Sequence, residues 1–210
     1  VTEDPAEADY VYLHIWPCSN GFPFYQFAMP TIEIGDIELE ERVTNTSQKK
    51  TGKTVVYHSL HHVERIRELS ELAHAKGAKV IATVVVNNPW ILTPVEPYVD
   101  GMTFQYTTSL AALQNAFRAQ ADVLAGDYSP TGKLSLTMVS SPEVIAISEK
   151  EIDGEMREIC ASPNDVPGYD KDRYIAPEVL SKVPGGSYAY YDADGNYYRS
   201  GFGLHYESDQ

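Results

Sequence analysis

The sequence predicts an α/β fold, a mostly parallel sheet sandwiched between helices in three layers with a carboxyl-terminal hairpin extension. Three observations carry this. Lys79-Val80-Ile81-Ala82-Thr83-Val84-Val85-Val86 is a near-continuous apolar strand, the pattern of a strand covered on both faces. Two stretches with apolar residues at helical spacing each stop at a glycine, Gly77 and Gly126. Strand-like and helix-like stretches follow one another as strand, helix, strand, strand, helix, strand, the order expected of a parallel sheet between helices. The whole chain, 1–210, reads as one domain, with residues 8–138 as the sandwich core and 139–210 as a loop-rich extension.

Each element has its local reason. Tyr10 to Trp16 is rich in β-branched and aromatic residues and ends at Pro17, so it reads as the first strand. From Pro17 to Lys53 the chain carries breakers and little periodicity; a long excursion is expected, with one short strand around Ile32 to Ile37. Ser59 is placed to cap a helix from about His62 to Lys76, with Val63, Ile66, Leu69, Leu72 and Ala73 as its stripe. Gly101 to Tyr106 reads as a strand. Thr108 or Ser109 then caps a helix whose stripe is Leu110, Leu113, Phe117, Ala121 and Leu124. Ser129-Pro130-Thr131-Gly132 turns into a strand over Lys133 to Met138. Beyond it, Glu149 to Ile159 reads as a short acidic helix. Tyr188 to Tyr198 reads as a hairpin around Asp194-Gly195, a dipeptide suited to a turn with both central residues at positive φ.

Composition narrows the functional classes. A net charge of −14 argues against nucleic acid, because phosphate binding needs a clustered positive surface. Lys49, Lys50 and Lys53 form one short basic group among Thr and Gly, read as a solvated loop. The longest apolar run is strand-length, so no membrane span is expected. Two cysteines, Cys18 and Cys160, make no disulfide framework and lack zinc spacing. Asp192-Ala193-Asp194-Gly195-Asn196 hints at a calcium loop, but its twelfth position is Gly203 rather than a bidentate Glu. His58, His61 and His62 read as surface residues. Metal and cofactor are accordingly expected to be none. The opening Val-Thr-Glu-Asp-Pro shows no export signal, and compartment stays open between cytoplasmic and secreted.

Three ordered segments resemble glycoside hydrolase family 3. Lys79 to Trp90, followed by Val99-Asp100-Gly101, is similar to the family's apolar strand, polar loop and "valine-aspartate-alanine" step. Ala121-Asp122-Val123-Leu124-Ala125-Gly126-Asp127-Tyr128-Ser129-Pro130-Thr131-Gly132-Lys133-Leu134 resembles, nearly residue for residue, the signature "ADVLFGDxNPSGKL". Gly201-Phe202-Gly203-Leu204-His205-Tyr206 is close to the "FGxGLxY" that ends the family's sandwich domain. The resemblance spans roughly Ala8 to Tyr206 and is weak between these blocks.

The resemblance implies the carboxyl-terminal domain of a retaining β-glycosidase of β-glucosidase type. Such an enzyme removes terminal β-linked sugars with two carboxyl groups about 5–5.5 Å apart. The family's nucleophile is an aspartate on a preceding barrel domain, so that barrel and a β-linked glycoside are the implied partners. The chain alone is expected to be inactive. In many members the acid/base is the glutamate of a "QE" pair before the "ADVL" segment. Counting back from Ala121 without gaps places Gln114 on the glutamine and Asn115 on the glutamate. An asparagine amide is no useful acid near neutral pH, so no catalytic residue is assigned. Glu96, Asp100 and Asp127 are the alternative acids near a sheet's carboxyl edge, each with a plain reading as a loop carboxylate or turn-former.

Open α/β sheets bind ligands outside the carboxyl ends of their strands. That rule gathers Cys18, Ser19 and Asn20, then Asn87, Asn88 and Trp90, then Gln105 and Tyr106. Amides suit sugar hydroxyls, and aromatic faces suit the apolar side of a pyranose. The substrate-binding candidates are therefore Asn20, Asn88, Trp90, Gln105, Gln114 and Asn115. A non-catalytic carbohydrate-binding or scaffold domain with a degenerate acid position is the alternative. A flavodoxin-like signalling domain would need an acidic cluster after Trp16 or Val86, and none stands there.

Overall fold

The computed structural model describes residues 4, 7–17, 31–43, 49–60, 62–86, 88–106, 113–145, 147–152, 154–160, 175 and 177–206. They form an α/β protein with parallel and antiparallel strands and a few helices. Backbone contacts divide the chain into two units, 1–116 and 117–210.

The first unit is built on three parallel strands, β1 (Tyr10–Ile15), β4 (Lys79–Val85) and β5 (Gly101–Gln105), in the order β1-β4-β5. Val80, Ala82, Val84 and Val85 on the central strand are buried, which explains its unbroken apolar character. Helix α1 (Val63–His74) buries Ile66 and Ala73 of the expected stripe, but Leu72 is 49% exposed, because the buried side of the helix runs through Ile66, Ser70 and Ala73. Ala73, Ala78 and Val80 form a small core against which Val11, Leu13 and Val99 pack. Gly77, at φ 78°, ends the helix as expected, and the Ala78 N–H donates back to the Ala73 carbonyl. The amino end differs. His62 stands at the cap in a left-handed conformation (φ 66°), and Ser59 makes no cap. Ser59 is instead buried against the turn at 33–35: its Oγ accepts from the Gly35 N–H (2.7 Å) and donates to the Glu33 carbonyl (2.6 Å).

A second departure lies between β1 and α1. The expected excursion with one short strand contains an antiparallel pair, β2 (Asp36–Arg42) and β3 (Lys50–His58). Ile37-Glu38-Leu39-Glu40 alternates and Val55-Val56-Tyr57 is apolar throughout, but both runs are short and flanked by charged residues. The strand expected around Ile32 to Ile37 begins only at Asp36; Glu33 makes a parallel bridge to Ile91.

The unit boundary falls within α2 (Leu113–Leu124), whose expected caps Thr108 and Ser109 lie outside the described residues. Gly126, at φ 81°, ends it, and the Asp127 N–H donates to the Asp122 carbonyl. The strand expected over Lys133 to Met138 is not one. Leu134, Met138 and Ser140 exchange backbone hydrogen bonds with Gly201, Phe202, Tyr198, Tyr190 and Tyr188, at spacings too irregular for a ladder. Leu134, Met138, Val139, Val144, Val183, Tyr188, Ala189, Tyr190 and Tyr198 make this unit's core.

The acidic helix expected over Glu149 to Ile159 is a hairpin, β6 (Ile147–Ile152) and β7 (Glu155–Cys160). The reason lies in the sequence: Asp153-Gly154 leaves a two-residue connection, and Gly154 stands at φ 83°. The short helix α3 (Pro177–Leu180) follows. At 188–198 the chain does turn back, with an antiparallel bridge between Tyr191 and Tyr197, but only Gly195 has positive φ (90°). Asp192 shapes that turn by accepting from the N–H groups of Asp194 and Asn196, so Asp194 needs no left-handed conformation.

Candidate functional site: the carboxyl edge of the parallel sheet

Pairing of Ile15 with Val84 and of Val85 with Gln105 brings the three strand ends to one edge. Trp16 and Pro17 leave β1 there, Val86 and Asn88 leave β4, and Tyr106 leaves β5. The Val86 N–H donates to the Gln105 carbonyl (2.9 Å), which closes the edge. Residues 15–17, 84–86, 88–92 and 104–106 contain no charged side chain.

Strand pleating sorts the side chains. Val11, Leu13 and Ile15 share the face of Val80, Ala82 and Val84, which takes α1. The opposite face carries a row of hydroxyls: Tyr12 OH donates to Thr83 Oγ1 (3.0 Å), which lies 2.8 Å from Thr103 Oγ1. Gln105, two residues beyond Thr103, ends that row. It is 7% exposed, and neither its Oε1 nor its Nε2 has a hydrogen-bond partner. Asn88 Nδ2, on the neighbouring strand's exit, is likewise buried and unbonded. Buried polar atoms are almost always paired, so three such atoms at one sheet edge mark it chemically.

The other candidates fall as follows. Trp90 is fully buried and its indole N–H donates to the Val85 carbonyl (3.2 Å), so neither ring face is open for stacking. Tyr106 is 43% exposed. Gln114 and Asn115 are exposed near the start of α2. Asn20, Cys18, Ser19 and Asn87 lie outside the described residues. Sequence reasoning missed the hydroxyl row, because its signal is cross-strand register: Tyr12, Thr83 and Thr103 are far apart in the chain.

Of the alternative acids, Asp100 is at the wrong end. It precedes β5 at the sheet's amino edge, where it accepts from Lys79 Nζ (2.7 Å), His74 Nε2 (2.8 Å) and the Val80 N–H (2.8 Å). Partial burial opposes its charge, but these donors and the Lys79 charge together outweigh that and hold the carboxyl well below the usual range. The same hydrogen bond, with the Asp100 charge, raises the Lys79 pKa. Glu96 lies in a single 3-10 turn, Glu96–Tyr98, and Asp127 in the turn after α2.

In the second unit, the aspartate-rich turn uses its central carboxylate internally. Asp192 Oδ1 accepts from Asp194 and Asn196 N–H groups, and Oδ2 from Asn196 Nδ2 and Tyr198 OH. Desolvation works against the charge, yet the donors, Asn196 foremost, lower its pKa. The described residues include no group of three His, Cys, Asp or Glu placed to hold a metal ion. No described helix is long and apolar enough to cross a membrane.

The helix-to-turn segment Ala121–Leu134 and the terminal Gly201–Tyr206 are bonded to each other. Tyr206 OH donates to the Val123 carbonyl (2.6 Å), its N–H to Ser129 Oγ (3.0 Å), and Lys133 Nζ to the Gly203 carbonyl (2.6 Å). Leu134 both donates to Phe202 and accepts from Gly201. Neither a family model, nor a curated protein, nor a solved structure matches the chain.

Proposed function

We propose that this chain is the sandwich domain of a retaining β-glycosidase of the family 3 type, forming one wall of a sugar site. In this reading helices cover both faces of the parallel sheet in three layers. The wall sits at the carboxyl edge, and the nucleophilic aspartate comes from a barrel outside these 210 residues. The observation that carries the reading is the ordered set of three sequence blocks, above all Ala121 to Leu134. The amides Gln105 and Asn88 at the strand exits support it, because amides pair with neutral hydroxyls without needing a charge partner.

Asn115 in the acid position favours a second reading, a non-catalytic carbohydrate-binding or scaffold domain. Two measurements separate them. The first reading expects no hydrolysis of nitrophenyl β-glucoside, β-xyloside or β-N-acetylglucosaminide by the 210-residue chain, and hydrolysis once the polypeptide encoded upstream is joined to it. It expects cellobiose to bind the isolated chain only in the millimolar range or weaker by calorimetry. Micromolar binding by the isolated chain, with no hydrolysis by the longer protein, would favour the second. Robust turnover by the 210 residues alone sinks both.

A further inference from the structure

We infer that the outer edge of β3 is a self-pairing surface, where two copies of this chain join antiparallel strands about a two-fold axis. The strands β2 and β3 form a two-stranded sheet, so each has one side without a strand partner. The Ser59 N–H donates to the Gly35 carbonyl just outside the ladder, and bonded pairs recur at every second residue. Ile37–Tyr57 and Leu39–Val55 are therefore the bonded pairs. The backbone groups of Asp36, Glu38 and Glu40 turn outward from β2, and those of Thr54 and Val56 outward from β3. Among the described residues, nothing takes the N–H and C=O groups of Thr54 or Val56. Both residues are exposed, Val56 at 45%.

Side-chain charge decides which edge pairs and with what. Every outward position on β2 is acidic and exposed, so two-fold pairing there sets carboxylate opposite carboxylate. On β3 the outward Thr54 and Val56, with Val55 between them, are β-branched and uncharged, the kind of residue that suits strand pairing. With Val55 opposite the second copy's Val55, Thr54 and Val56 of each chain exchange backbone hydrogen bonds with Val56 and Thr54 of the other. The side chains then fall into matched rows. Leu39 faces Val55 within each chain, so one row across the joined sheets reads Leu39, Val55, Val55, Leu39. The row beside it reads Glu38, Val56, Thr54, Glu40, with two uncharged strands between the acids. The register shift near Glu40 and the left-handed Gly52 (φ 84°) bend β3 beyond Lys53 and end the pairing there. Laying β3 of one copy on β2 of the next would instead leave free edges and grow without limit. Chains carrying −14 each repel such growth.

Sedimentation equilibrium of the intact 210-residue chain tests this, in about 0.3 M NaCl to screen the repulsion. A monomer–dimer equilibrium is expected, half dimeric at a concentration on the order of 100 μM, as suits a small interface. Val56→Pro deletes an outward N–H while leaving the β2 ladder its donors. It is expected to raise the dissociation constant about tenfold or more, with an unchanged circular dichroism spectrum. Disulfide trapping in a Cys18→Ser, Cys160→Ser background reads the register. Val55→Cys sets two thiols across a non-hydrogen-bonded pair, with Cα atoms about 4.5 Å apart, within the span of a disulfide. A covalent dimer is expected from it, and none from Glu38→Cys on the acidic edge. A chain that stays monomeric to about 1 mM, or that grows beyond a dimer, overturns the inference. So does a dimer that Val55→Cys does not trap, or that Glu38→Cys traps as fast. Should Val56→Pro fail to fold, the two trapping rates decide alone.

Discussion

Replacing Gly203 by alanine tests whether the Ala121–Leu134 and Gly201–Tyr206 segments form one device. A Cβ at Gly203 would lie 2.5 Å from the Gly132 carbonyl oxygen and 3.0 Å from Lys133 Cδ. The first contact is a clash, since real Cβ atoms essentially never come within 3.0 Å of such a neighbour. The lysine stem can swing away, but the Gly132 carbonyl cannot easily yield. Leu134, two residues on, is pinned by bonds of 2.8 Å to Phe202 and from Gly201. Relief therefore means moving Gly203 outward, which strains the Lys133 contact to its carbonyl and the Leu134–Phe202 bond. Overpacking of this kind costs about 1–3 kcal/mol, and one lost hydrogen bond adds about 1 kcal/mol. For a chain of this length that lowers Tm by about 4–16 °C. Thermal melts followed by near-ultraviolet circular dichroism read it directly, because Tyr188, Tyr190 and Tyr198 lie in this core. Gly132→Ala is the matched control: its Cβ meets nothing within 4 Å, so its stability should stay within about 0.5 kcal/mol of wild type. Equal melting of Gly203→Ala and wild type would refute the coupling of the two segments.

Two further outcomes follow from the first unit. Asp100→Asn removes a charge held by Lys79, His74 and the Val80 N–H; with the side chain 26% exposed, the expected cost near pH 7 is about 1–2 kcal/mol by urea denaturation. Because the folded pKa of Asp100 is depressed, its contribution is complete above the unfolded carboxyl value of about 3.9 and is lost as pH falls below it. The stability gap between wild type and Asp100→Asn must therefore shrink between pH 5 and pH 2, as rough bounds of the carboxyl range; a gap constant across that window contradicts the ion-pair account. Ser59→Ala leaves the Gly35 N–H and the Glu33 carbonyl unmet in a buried turn, so a loss of about 2–3 kcal/mol is expected. A fully neutral Ser59→Ala would mean the serine is dispensable to that turn.

The parallel strands and α1 are legible in the sequence because their causes are local. A covered strand must be apolar throughout, and a helix packed on one side must repeat every three to four residues. Gly77 and Gly126 are readable for the same kind of reason, since a left-handed helix exit is a one-residue requirement. What escapes depends on partners distant in the chain. Leu134 to Met138 has good strand composition, yet its backbone groups are taken by Tyr190, Tyr198, Gly201 and Phe202, and composition cannot say which partner wins. Ser59 resembles a cap because it precedes a helix, but a hydroxyl bonds whichever orphan groups are nearest, and those are at 33–35. The β6–β7 hairpin is a different kind of miss: Asp153-Gly154 is a turn signal set among acidic residues that equally suit the exposed face of a helix. At the candidate site the edge is readable from strand order, which brings Gln105 and Asn88 to it. The burial of Trp90 is not, because an aromatic at a strand exit has the same local sequence whether its ring faces solvent or core.

The distribution of charge over the parallel-sheet unit bears on what chemistry its edge supports. At the amino edge Asp100 is ionised and engaged by three donors, with its pKa driven down. A carboxyl in that state is a poor proton donor to a leaving group, since general acids work best with pKa values near the operating pH. The polar side chains of residues 15–17, 84–86, 88–92 and 104–106 are amides, indoles and a phenol, which hold no transferable proton of suitable acidity near neutral pH. Asn115 has the same limitation. Retaining glycosidase chemistry needs two carboxyl groups about 5–5.5 Å apart, and residues 15–17, 84–86, 88–92 and 104–106 include no Asp or Glu, although Glu33 bridges Ile91 beside them. If the edge serves a glycosidase, its contribution is to hold a sugar while an acid and a nucleophile act from elsewhere.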